Sequence, residues 1–175
     1  MLRPKFSRLS LFIPLAVVVG VGSAPSAADS VSGLITRTYV IVEDTDLMGD
    51  VTCDVTGAPC FSFGAPGVEL RLNGFSITGK ADPATACTGA AQTANEAGIF
   101  TNNQPRVTVR GPGLVQRFRL HGVFVGGSEN ARVDNITAST NCASGVFIAA
   151  NSFGTLVEGS TAVRNGSPTA PCGGV

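Results

Sequence analysis

The chain has 175 residues, with 12 basic and 12 acidic side chains and a single histidine. Only 14% of residues are charged, tryptophan is absent and 22 residues are glycine, a balance that suits frequent turns and not a helical domain. Arg3, Lys5 and Arg8 fall in a leader described next. Losing those three basic residues and no acidic one leaves a net charge of −3, which argues against nucleic acid as a partner.

Residues 1–28 read as a secretory signal peptide. Arg3, Lys5 and Arg8 form its basic start, and Leu9 to Gly22 its uncharged apolar centre. Ser26, Ala27 and Ala28 place small residues before an expected cut at Asp29. A membrane anchor needs about 20 continuous apolar residues; this run has 14 and contains Pro14. No cysteine stands at the expected cleavage site, so a lipid anchor is not expected. Residues 29–175 are then an exported domain, periplasmic, surface-held or released, without a membrane span. All five cysteines lie in it, in a compartment where disulfides persist.

Glu43, Asp44, Asp46 and Asp50 form an acidic run near the start of this domain. Oxygen ligands of this kind could hold Ca²⁺, but the spacing lacks the EF-hand pattern. A solvated N-terminal cap is expected, with no metal and no cofactor. Cys53 and Cys60 flank a Gly-Ala-Pro turn and can pair.

From Phe61 onward the chain repeats. Phe61-Ser62-Phe63 leads to Val68-Glu69-Leu70-Arg71-Leu72, then Asn73-Gly74, then Phe75-Ser76-Ile77-Thr78-Gly79. Gly98-Ile99-Phe100 recurs as Gly122-Val123-Phe124 and as Gly145-Val146-Phe147. Eleven residues after each glycine stands an apolar residue, Val109, Val133 or Leu156, followed by a turn-former, Gly111, Asn135 or Gly159. Each unit is two or three short strands of period-two pattern, with corners where Asn or Gly takes positive φ cheaply. No amphipathic helical stretch separates the strands, so βαβ crossovers are excluded. The remaining way to stack such units is a coil of four to five turns: a right-handed parallel β-helix.

Alternation assigns faces. Ile99 and Thr101, Val123 and Val125, and Val146 and Ile148 point inward; Val107, Val109 and Val133 line a second sheet. Residues 80–97 interrupt the repeat as a surface loop, and residues 166–172 form a shorter insertion at the equivalent corner. Cys142 and Cys172 occupy matching corners of adjacent coils and are the first-ranked pair, with Cys87 as a competitor and one thiol left over. Gly173-Gly174-Val175 opens another coil with no polar cap, so the sequence is expected to be truncated there, or its open coil to associate end to end.

The stretch Gly49-Asp50-Val51-Thr52-Cys53, then Val68 to Gly79, resembles the opening of bacterial right-handed parallel β-helix repeat proteins of the pectate lyase and pectin lyase superfamily. The Gly-Val-Phe repeats are similar to the same pattern, over roughly residues 38–175. The resemblance implies a polysaccharide-related role. It carries no catalytic residue across. Pectate lyases use clustered Asp on calcium with a basic residue; pectin hydrolases use an Asp-Asp pair and Gly-His-Gly. This chain has no Asp-Asp pair, and Leu120 precedes His121-Gly122.

Candidate ligand residues therefore come from the repeat itself. Phe100, Phe124 and Phe147 fall on the outward face of one sheet, stacked in a row that Ser62 continues. Lined aromatics suit the apolar faces of sugar rings, or packing beneath the 80–97 insertion. Arg117, Arg119 and His121 alternate with Phe118 and Leu120, giving a basic outward patch that could receive an acidic polysaccharide or simply be solvated. His121 is the only candidate general base. Asn135 and Asn165 fit the N-glycosylation pattern; Asn135 is better explained as a corner. The expected function is non-enzymatic binding of carbohydrate or a surface component. The alternatives are the N-terminal part of a polysaccharide lyase, hydrolase or epimerase, and a structural or adhesive solenoid.

Overall fold

The structure, a computed structural model, describes residues 28–81, 87 and 95–166. The expected signal peptide up to Ala27, Cys172 and the open C-terminal coil lie outside them. The described residues are all-β, with no helix. β1 (Asp29–Ile35), β2 (Tyr39–Ile41) and the long β3 (Thr45–Cys53) come first. Four triplets follow: β4 (Phe61–Phe63), β5 (Glu69–Arg71) and β6 (Ser76–Thr78); β7 (Ile99–Phe100), β8 (Thr108–Arg110) and β9 (Leu114–Gln116); β10 (Val123–Val125), β11 (Arg132–Asp134) and β12 (Thr137–Ser139); β13 (Val146–Ile148), β14 (Leu156–Glu158) and β15 (Thr161–Val163).

Every strand pairing is parallel. The first strands of the four triplets, together with β2, form a five-stranded sheet, β13-β10-β7-β4-β2. The others form one curled sheet, β14-β11-β8-β5-β3-β6-β9-β12-β15, with β1 against β3. It curls through β3, whose Thr45 and Asp46 pair with β5 while Val51 and Thr52 pair with β6. Successive triplets therefore lie one over the next, an arrangement that fits a β-solenoid.

Columns of inward side chains fill the space between the sheets. Phe61, Ile99, Val123 and Val146 stand in one register, Leu70, Val109, Val133 and Val157 in a second, and Val51, Ile77, Val115 and Ala138 in a third. All but Val157 are buried. Each large side chain fully withdrawn from water contributes about 1.5–3 kcal/mol. The repeated glycines mark where the sheets nearly touch. A Cβ on Gly98 would come within 2.7 Å of Val115 Cγ1, and one on Gly145 within 2.9 Å of Ala162 Cβ. Their carbonyls accept the N–H of Phe61 (from Gly98), Ile99 (from Gly122) and Val123 (from Gly145) at 2.9–3.0 Å, which locks the register of the sheet.

Corners behave as their residues require: Asn73, Gly74, Asn135 and Gly159 all adopt positive φ. Three expectations need correcting. Leu156 is not inward; Val157 pairs with Val133, and Leu156 is 46% exposed. The connection from Val146 to Val157 is one residue longer than that from Val123 to Val133, and a slip of one reverses the face. Ile148 pairs with Val125 as expected but is 42% exposed, because β13 is the last strand of its sheet among the described residues. The 80–97 insertion is not simply a surface loop: Ala81, Cys87, Glu96 and Ala97 are buried.

Candidate functional site

The row expected on the five-stranded sheet is present. Ser62 pairs with Phe100, Phe100 with Phe124 and Phe124 with Phe147, with Val40 below Ser62. Their inward neighbours, Ile148 apart, are buried, so alternation turns the phenylalanines outward. Phe100 and Phe124 are half-buried and Phe147 is exposed. The rings lie against one another: Phe100 and Phe124 have centroids 4.9 Å apart and tilted by 31°, Phe124 and Phe147 5.5 Å apart and tilted by 58°. Phe100 and Phe124 also form a wall of a cleft of about 190 Å³, completed by Pro59, Asn95 and Ala97.

His121 extends the row sideways. Its ring stacks face to face on Phe147, with centroids 4.4 Å apart and planes within 5°, and meets Phe124 edge-on at 5.5 Å. Its Nδ1 accepts the N–H of Ser144 at 3.2 Å, which leaves the proton of the neutral ring on Nε2. Burial disfavours the imidazolium and pushes the pKa of His121 down to about 4.

The two arginines do not join His121 in an open basic patch. Arg119 Nη1 lies 3.2 Å from both carboxylate oxygens of Glu96, whose side chain is 5% exposed, and Glu96 also accepts the N–H of Gly57. The Nε of Arg119 is buried with no hydrogen-bond partner. Arg117 donates its Nε to the carbonyl of Ala81. Phe118, between them, is buried in the core as expected. Coil-length spacing was the signal for the Arg119–Glu96 pair, since the two are 23 residues apart.

The acidic run is not a free cap either. Arg71 pairs with Asp44 at 2.6 Å and with Asp46 at 3.1 Å, while Asp50 accepts the N–H and hydroxyl of Ser76, which holds its carboxyl below the usual range. This is the beginning of an ion-pair ladder along the outward face of the second sheet. Arg110 binds Glu69 and, at 2.8 Å, Asp134; Arg132 binds Glu158. Among the described residues no group of three His, Cys, Asp or Glu converges as metal ligands would.

Two other ladders cross the corners. Asn141, fully buried, accepts the N–H of Phe118 and donates to Asn165, which in turn donates to the carbonyl of Ala138. Asn165 is thus part of the frame. At another corner the Ser128 hydroxyl donates to Thr101 Oγ1 at 2.6 Å. Cys53 and Cys60 form a disulfide as expected, but Cys142 bonds to Cys87, not to Cys172. Cys87, Cys142 and Ala81 make a small buried cluster of their own. Two disulfides suit a non-cytoplasmic protein, and among the described residues no helix is long and apolar enough to cross a membrane. Comparison with family models, curated proteins and solved structures gives no match.

Proposed function

We propose that this chain is an exported right-handed parallel β-helix protein, similar to the pectin lyase-like superfamily, that binds carbohydrate on the outward face of its five-stranded sheet without turning it over. Parallel strands joined across a sheet are right-handed in nearly every known case, and that rule carries the handedness. The leader of residues 1–28 carries the export, in keeping with the two disulfides.

The observation that carries the binding reading is the continuous aromatic strip of Phe100, Phe124 and Phe147 opening into the cleft beside Pro59 and Asn95. Flat apolar faces in a line match the C–H faces of successive sugars, and a cleft with a few polar groups at its rim gives orientation. His121, to which no carboxylate among the described residues hydrogen-bonds, fits a ligand contact better than a general base. The triple variant Phe100→Ala, Phe124→Ala, Phe147→Ala should lose retention on glycan columns and still melt cooperatively. Undiminished retention would sink the proposal.

A structural solenoid is the second reading, and the ring-to-ring contacts favour it, since the same strip staples three coils together. Collapse of the triple variant to an unfolded chain would decide for it.

A further inference from the structure

We infer that the glycan taken by this row is uncharged, a chain of neutral hexoses or N-acetylhexosamines, and not a polyuronate. The inference rests on the carbohydrate-binding reading above and adds the chemical class of the ligand.

The cleft wall is the first argument. Pro59, Asn95, Ala97, Phe100 and Phe124 include no ionisable group. The row above it continues as Phe147, and below it as Ser62 and Val40, again without charge. A carboxylate brought from water onto such a surface would shed part of its hydration and meet no cation in return, which is costly. A neutral sugar gives up far less.

The second argument concerns the basic residues of the 117–121 connection, together with Lys80. Arg119 is spent on Glu96, through two contacts of 3.2 Å to a buried carboxylate. Recruiting it for a uronate would leave the Glu96 charge buried and unpaired, the most expensive outcome for such a pair. Arg117 is tied to the Ala81 carbonyl, and Lys80 to Asp54 at 2.5 Å and to the Thr56 hydroxyl. His121 is held neutral by its surroundings: its Nδ1 is an acceptor for Ser144, its ring lies flat on Phe147, and burial brings its pKa down to about 4.

The polar groups that remain are matched to hydroxyls. A sugar hydroxyl both donates and accepts. The exposed Asn95 amide offers two donors and an acceptor at the cleft wall, and neutral His121 offers one donor at Nε2. An acceptor-only carboxylate would leave half of the amide's capacity unused.

A glycan array separates the outcomes. It should carry β-glucan, xylan, mannan and chitin oligosaccharides beside polygalacturonate and alginate, with hits measured by calorimetry at low and high salt. The expected result is binding to a neutral chain, changed less than twofold by salt because no ion pair forms. Phe124→Ala should weaken it by about tenfold, the range of one aromatic contact. Asn95→Gly, which tolerates the positive φ of this residue, should weaken it severalfold with little change in the melting temperature. Tighter binding of polygalacturonate or alginate, weakened by salt, would overturn the inference. If that binding were still lost in Phe124→Ala, the aromatic row would stand as the site and only the ligand class would fall. Binding of neither class would remove the row itself as a glycan site, and this inference with it.

Discussion

The outward face of the five-stranded sheet and the outward face of the β14-β11-β8-β5 arm are made by the same coils, in the same register, a few residues apart. On the first, alternation presents Phe100, Phe124 and Phe147, with Ser62 in the same register but buried. On the second it presents Glu69 and Arg71, then Arg110, then Arg132 and Asp134, then Glu158. Both rows are ladders, yet they differ in what they leave over. The charged ladder closes on itself: Arg71, Arg110 and Arg132 each reach carboxylates on neighbouring coils. The aromatic ladder joins ring to ring across the coils and keeps a cleft of about 190 Å³ beside it. In a stacked coil, identical neighbours are cheap to obtain, so a row whose groups are fully used by one another holds the fold. A row with an unfilled side can take a ligand.

The largest effect expected is one that breaks both faces at once. Val133 is fully buried between Val109 and Val157, behind the charged ladder and facing the core that backs the aromatic one. Val133→Asp places a carboxylate where nothing can pair with it, at a cost of at least about 3 kcal/mol. Thermal melting should show the loss; an unchanged melting temperature would mean that the inward assignment of this column is wrong.

A smaller change separates the two faces. Arg110→Met keeps the stem but removes the guanidinium that joins Glu69 to Asp134. Exposed ion pairs contribute little each, so the melting temperature should fall by only a few degrees. The gap to wild type should narrow in about 1 M salt, where the remaining charges are screened. Glycan binding should be unaffected, because the residue lies on the other sheet. If Arg110→Met abolished binding while the fold persisted, the division of labour between the faces would fail.

How much of this was legible in the sequence follows from where the repeat holds. The glycines at 98, 122 and 145 fix three strands at nearly constant spacing, so the Phe row and its outward direction could be read directly. Counting eleven residues on from each glycine worked for Val109 and Val133 and failed at Leu156, because a single added residue in the connection shifts the face while leaving the composition unchanged. Cys53 and Cys60 are close in sequence and were readable as a pair; Cys87 sits in an insertion that has no register, so spacing could not place it against Cys142. Arg117, Arg119 and His121 alternate in the sequence but lie in the connection between β9 and β10, where strand alternation does not hold, so reading along the chain turned them into a patch. Partners in a coil lie one turn away, and Glu96 is the residue that such a reading omits.

The smallest effect expected concerns His121, and it sharpens the contrast between a charged and an uncharged face. The neutral ring stacks on Phe147 and accepts the Ser144 N–H, and burial lowers its pKa from 6.5 to about 4. The unfolded chain therefore takes up the proton first. Above about pH 6.5 both states are neutral and His121 adds no pH dependence. As pH falls from there towards 4, protonation favours the unfolded chain and stability is lost. Asp29 and Asp50, with carboxyls held below their ordinary value of 3.8, act in a lower window. Melting curves between pH 7 and 4 should thus show a decline in wild type that is shallower in His121→Gln, which has no proton to take up. Equal slopes in the two proteins would mean that His121 is solvated enough to charge freely. It would then stand on the aromatic face as a cation at acidic pH, and acidic glycans would return as ligands of that face under those conditions.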